Sequence, residues 1–129
     1  MAWRNYNKYG NKKVTVAGET FESKHEADRW IQLKVLQNFG RIQNLQRQVK
    51  FVLIPAQYEE TGEIIRKGKN KGKPKPGKLI EREVAYYADF VYFDDNGLVV
   101  EDAKGMKTKD YIIKRKLMLW IHGIRIKEV

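Results

Sequence analysis

The 129-residue chain contains no cysteine. That absence excludes a disulfide scaffold, a thiol nucleophile and thiolate-bound zinc, and it suits a reducing compartment. Long apolar runs are missing too: a stretch such as Phe51-Val52-Leu53-Ile54 falls far short of a bilayer span. The first eleven residues carry aromatics and one lysine, without the apolar region of a secretory signal. A cytoplasmic protein with no membrane contact is expected. At 42% hydrophobic and 33% charged, the chain should fold as one domain over residues 1–129.

Acid is absent from two stretches, and there the net charge of +10 accumulates. Residues 1–18 hold Arg4, Lys8, Lys12 and Lys13. Residues 66–78 hold Arg66, Lys67, Lys69, Lys71, Lys73, Lys75 and Lys78, with three glycines and two of the chain's three prolines. The rest is close to neutral. Like charges among Gly and Pro cannot build a core element, so 66–78 is expected to be a mobile basic loop. DNA is its expected partner, because each phosphate neutralised by Lys or Arg releases counterions; an acidic protein surface is the competing partner. Residues 1–12 form a second basic arm, in which Trp3, Tyr6 and Tyr9 interleave with Arg4 and Lys8. Stacking on bases and packing onto the core are both open for them.

Between these arms the elements follow from pattern and caps. Val14–Val16 and Thr20-Phe21 flank Ala17-Gly18-Glu19 as a small hairpin. Ser23 caps a helix to about residue 39, whose Ala27, Trp30, Ile31 and Val35 should form the buried face. Strands are expected over 48–54, 82–93 and 98–104, the last two joined by the turn Asp94-Asp95-Asn96-Gly97. Thr108 caps a second helix to about residue 121, with Ile113, Leu117, Trp120 and Ile121 toward a sheet, and residues 124–127 form a last strand. A helix-to-strand return favours a parallel crossover, hence a mixed sheet flanked by helices in an α/β fold.

Side chains alternate along a strand, so Val100, Asp102 and Lys104 share one face, and Glu101 takes the other. Asp89 interrupts the apolar run Tyr86 to Phe93, and an unpaired buried carboxylate costs several kcal/mol, so it needs a partner. The turn at 94–97 brings Asp89 beside Asp102–Lys104. Two carboxylates and an ammonium could hold a hard divalent cation and a water.

Ala88-Asp89, followed twelve positions after the aspartate by Glu101-Asp102-Ala103-Lys104, resembles the signature of the PD-(D/E)XK nuclease superfamily. The element order resembles its α-β-β-β-α-β core, and Ser23-Lys24-His25-Glu26 resembles its helical acidic motif. With Lys104-Gly105-Met106-Lys107-Thr108, the chain is similar to a family of small phage-borne proteins placed in that superfamily, near endonuclease-I-type Holliday junction resolvases. The likeness runs from about Val14 to Val129. It implies a Mg²⁺- or Mn²⁺-dependent endodeoxyribonuclease of DNA recombination, acting on branched DNA as a homodimer and, if phage-encoded, in the host cytoplasm. It implies that Asp89 and Asp102 ligate the metal, with the Ala103 carbonyl, and that Lys104 orients the attacking water. Glu26 would complete the site, Lys107 would join the basic arm on DNA, and cleavage would leave a 5′-phosphate.

Alternatives stay open at several of these residues. Glu101 could replace Asp102 as ligand if a bulge shifts the strand. Ser23-x-x-Glu26 is also a capping box, which would hold Glu26 at the helix terminus in an alternate rotamer. The acid–lysine cluster could be a structural ion-pair group, leaving a non-catalytic DNA-binding accessory protein. His25 and His122 lack companions for a zinc site, and a P-loop-like Gly72-x4-Gly77-Lys78 ends in Leu79 and contains two prolines.

Overall fold

The computed structural model describes residues 12–129; nearly all of the expected N-terminal arm lies outside the described residues. The chain runs β1 (Val14–Val16), β2 (Glu19–Phe21), α1 (Lys24–Asn38), β3 (Gln43–Ile54), β4 (Gln57–Ile64), β5 (Pro74–Glu81), β6 (Val84–Asp94), β7 (Gly97–Asp102), α2 (Lys109–His122) and β8 (Lys127–Glu128). The main sheet has the order β3-β6-β7-β8. Its first three strands are antiparallel, and β8 joins β7 in parallel, pairing Glu101 with Lys127. This is a mixed α/β sheet with two helices and an N-terminal hairpin.

Each helix is set by its cap. Ser23 Oγ accepts from Glu26 N at 3.2 Å and Thr108 Oγ1 from Tyr111 N at 3.1 Å, while Gly123 closes α2 in the left-handed region at φ 66°. The helices cover opposite faces. On one, Ala27, Trp30 and Leu33 of α1 pack with Phe21, Ile42, Phe90 and Tyr92. On the other, Tyr111 and Met118 of α2 pack with Leu53, Tyr86, Ala88 and Val100.

Both helices are rolled relative to the sequence expectation. Ile31 and Val35 are exposed, and Leu33 and Glu26 point inward instead. Apolar residues spread around much of α1, so its periodicity selects no single face; the capped N-terminus and Trp30 do. On α2, Leu117 reaches the core as expected, but Ile113, Trp120 and Ile121 face outward, Trp120 at 86% exposure. Tyr111 and Met118, seven residues apart, occupy the sheet-facing line in their place.

Segment 66–78 also differs from the expected loop, because its second half is strand. β4 and β5 form a separate two-stranded ribbon, inserted in the chain between the paired strands β3 and β6. Every residue of β4 is exposed, and no residue of the ribbon belongs to either core cluster. β3 begins earlier than expected, at Gln43, and β7 ends at Asp102, so Ala103 and Lys104 follow the strand. Among the described residues, no helix is long and apolar enough to cross a membrane.

Candidate functional site

The centre of the main sheet carries a distortion at one rung. Val49, Phe51 and Leu53 of β3 pack on the α2 side, yet Leu45 packs on the α1 side although it has the same parity. In β6, Tyr86 and Ala88 face α2 whereas Phe90 and Tyr92 face α1. Both strands therefore change face at Gln48 and Asp89, which lie between the paired residues Val49–Ala88 and Arg47–Phe90. Gln48 has a φ of 50°. A left-handed conformation costs a non-glycine residue about 1–2 kcal/mol, and such strain collects where a site dictates backbone geometry.

The change of face turns the Asp89 carboxylate toward the end of β7. Asp89 Oδ2 accepts from Ala103 N at 2.9 Å, and Oδ1 accepts from the Gln48 amide at 3.2 Å. The same Gln48 nitrogen donates to Glu26 Oε1 at 3.3 Å, so one amide ties the two carboxylates together. Glu26 Oε2 accepts from Glu22 N at 3.3 Å. One rotamer thus serves both the helix terminus and the cleft, and the two roles for Glu26 do not need alternate rotamers. Its reach is to the Glu22 amide, one residue before the Ser23 amide that a capping box would use.

Adjacent residues of β7 have opposite environments. Glu101 is fully buried on the α1 side, where Arg29 Nε and Nη2 donate to its two oxygens at 2.8 Å each and the Tyr92 hydroxyl adds a third bond. This pair is complete without a ligand. Asp102, 1% exposed, points to the α2 side with Val100, as strand parity requires. The Tyr86 hydroxyl donates to its Oδ2, but Oδ1 has no hydrogen-bond partner; Lys104 Nζ stands 3.8 Å away.

Electrostatics reflect this crowding. Burial first, and then the charge of Asp89, push the Asp102 carboxyl up to about 6. The same two causes, in the same order, raise Glu26 above the usual carboxylate range. Burial, and then the hydrogen bond to Asp102, drive the Tyr86 phenol upward, keeping it a donor. Lys104 completes the group by standing over the Tyr111 ring, 5.2 Å from its centroid.

These residues border a cleft of about 240 Å³ between the N-termini of the two helices, lined by Glu26, Asp89, Ala103, Lys104, Met106 and Thr108. Its donors are carboxylate oxygens, with an orphaned buried oxygen behind them, a set matched to a hard cation. Among the described residues, no group of three or more His, Cys, Asp or Glu side chains is placed to hold a metal ion. One or two carboxylates, with water or phosphate completing the shell, are the number of protein ligands a Mg²⁺ or Mn²⁺ ion would need here.

The other expected site residues lie apart. Lys107 pairs with Glu128 at 2.8 Å. Arg66 through Lys78 belong to the ribbon and its tip, where Lys75 pairs with Glu63 at 3.6 Å. His25 bonds the Val129 carbonyl, and His122 bonds that of Val52, each at 2.7 Å.

Sequence reasoning missed Gln48, Arg29 and Tyr86. Arg29 and Tyr86 sit in ordinary helical and strand patterns, and only tertiary packing joins them to their acids. A polar Gln48 opening an apolar run was the one local signal.

No curated protein and no solved structure matches the chain. A family described as "Protein of unknown function (DUF1064)" matches residues 6–122, and the chain belongs to that family.

Proposed function

We propose that this chain is a metal-dependent DNA endonuclease with a PD-(D/E)XK-like core, selective for branched DNA in the manner of junction resolvases. The observation that carries the reading is the placement of Asp89, Lys104 and Glu26, the two acids linked through Gln48, on one cleft, with the buried Asp102 3.8 Å from the Lys104 ammonium. The element order from α1 through β3, β6, β7, α2 to β8 supports it, with the β4–β5 ribbon as an insertion.

A bound Mg²⁺ or Mn²⁺ would supply Lewis acidity and a more acidic water. Asp89 and Asp102 would hold it, with the Ala103 carbonyl as a further oxygen. The Lys104 ammonium would orient the attacking water and stabilise negative charge on the phosphoryl oxygens. Glu26 would position that water from the other side, its raised pKa suiting it to share a proton. The water oxygen bonds to phosphorus as the bond to the 3′ oxygen breaks, leaving a 5′-phosphate. One such cleft per chain makes a homodimer the natural unit for cutting two strands.

The near-complete burial of Asp102 favours one second reading, a DNA-binding accessory protein whose acid–lysine cluster is structural. Labelled duplex, single-stranded and four-way-junction DNA, each with Mg²⁺, Mn²⁺ or EDTA, separate the two. Metal-dependent cutting of the junction supports the nuclease; binding without cutting in either metal supports the accessory protein.

A further inference from the structure

The β4–β5 ribbon is built to stand alone. Its ladder is tightened near the tip by Thr61 Oγ1 donating to the Lys75 carbonyl at 2.7 Å, Ile65 N to Lys73 O at 2.9 Å and Gly72 N to Ile65 O at 2.8 Å. From Ile64 to Ile80 there is no acid, and seven cations occupy that stretch. Ile64 pairs in register with Pro74 and is 59% exposed. An aliphatic pair therefore sits in the open at the base of a strongly basic tip.

We propose that this ribbon is an arm that enters a groove of duplex DNA at a distance from the cleft; the inference rests on the DNA reading above. A two-stranded β-ribbon has the width a groove admits. Its tip cations would hold phosphates on either side, and Ile64 with Pro74 would lie against the bases, as apolar side chains flanked by basic ones do in groove-binding proteins. An acidic peptide matches the cations but gives the aliphatic pair no flat stack to meet. Fifteen residues separate Asp89 from Pro74. At about 3.3 Å per residue, the tip begins up to about 50 Å from the cleft, or some ~15 base pairs along a duplex. Cleft and arm would thus hold DNA at two separate places.

The test is fluorescence-anisotropy binding of a 40-base-pair duplex, and of one of its strands alone, in EDTA over roughly 50–300 mM KCl. The wild type is compared with the quadruple variant K67Q/K69Q/K71Q/K73Q and with Ile64→Ser, each checked for folding by circular dichroism. The quadruple variant is expected to flatten the log K against log salt slope by up to about 3.6, and to bind roughly tenfold or more weakly at 0.1 M salt. Ile64→Ser is expected to keep the slope and lose preference for duplex over single strand. An unchanged slope in the quadruple variant overturns the arm, as does displacement of the duplex by equimolar polyglutamate. Cutting is scored separately in Mg²⁺. Loss of slope in a protein that never cuts supports the arm and sinks the nuclease; full cutting with an unchanged slope does the reverse.

Discussion

At the scale of single residues, the adjacent acids Glu101 and Asp102 differ in how fully they are partnered. Glu101 is enclosed by Arg29 and Tyr92, and both of its oxygens accept hydrogen bonds. Removing Arg29 would strand a buried charge, so Arg29→Ala should cost about 3–5 kcal/mol in urea unfolding. A loss under 1 kcal/mol would show that water reaches Glu101. Asp102 is the opposite case, since its environment disfavours the charge it carries. Its pKa of about 6 exceeds the ordinary 3.8 because of burial and Asp89. Between those values the folded protein holds a proton that the unfolded chain has released. The corresponding stability is therefore present below about pH 4 and is lost as pH rises through 6. Asp102→Asn should raise stability at pH 7 by about 3 kcal/mol, flatten this part of the pH profile and abolish cutting. Urea unfolding at pH 4.5 and 7 checks the sign. A destabilised Asp102→Asn at pH 7 would mean that Lys104 and Tyr86 fully offset the charge.

At the scale of elements, the ribbon depends on close approach at Gly77. A Cβ there would meet the Glu59 carbonyl oxygen at 2.8 Å and Thr61 Cγ2 at 3.1 Å. The first contact is backbone and cannot swing aside. Gly77→Ala should open the ribbon while sparing the body, because neither core cluster includes ribbon residues. Hydrogen exchange would show the Ile65 amide losing protection while β6 amides keep theirs; uniform loss would instead mean that ribbon and body unfold together. The ribbon was also the element least legible in the sequence. A two-stranded arm exposed on both faces has no hydrophobic alternation, and each of its strands has a free edge where Pro74 and Pro76 are tolerated. The helix starts were legible because Ser23 and Thr108 cap locally, and the β6–β7 hairpin because Asp94–Gly97 is strong turn chemistry. That hairpin sets Asp89 beside the end of β7. The change of face at Gln48 was not legible, since it follows from two strands distorting together.

At the scale of the whole molecule, charge is divided by task. Glu26 and Asp89 line one cleft, and the tip of the ribbon, from Ile64 to Ile80, carries seven cations and no acid. An acidic cleft repels phosphate on its own, so a nuclease of this design needs a cation in the cleft and basic groups elsewhere to hold the substrate. The measurement that tests this most directly is cleavage of a labelled four-way junction in Mg²⁺ or Mn²⁺ by the wild type and by Lys104→Ala. Lys104 is partly exposed and its removal should leave the fold intact, which circular dichroism verifies. The expected result is metal-dependent cutting by the wild type, silenced by EDTA and reduced at least about a hundredfold in the variant. Equal cutting by both proteins, or none by the wild type in either metal, would contradict the assignment of this cleft to phosphodiester hydrolysis.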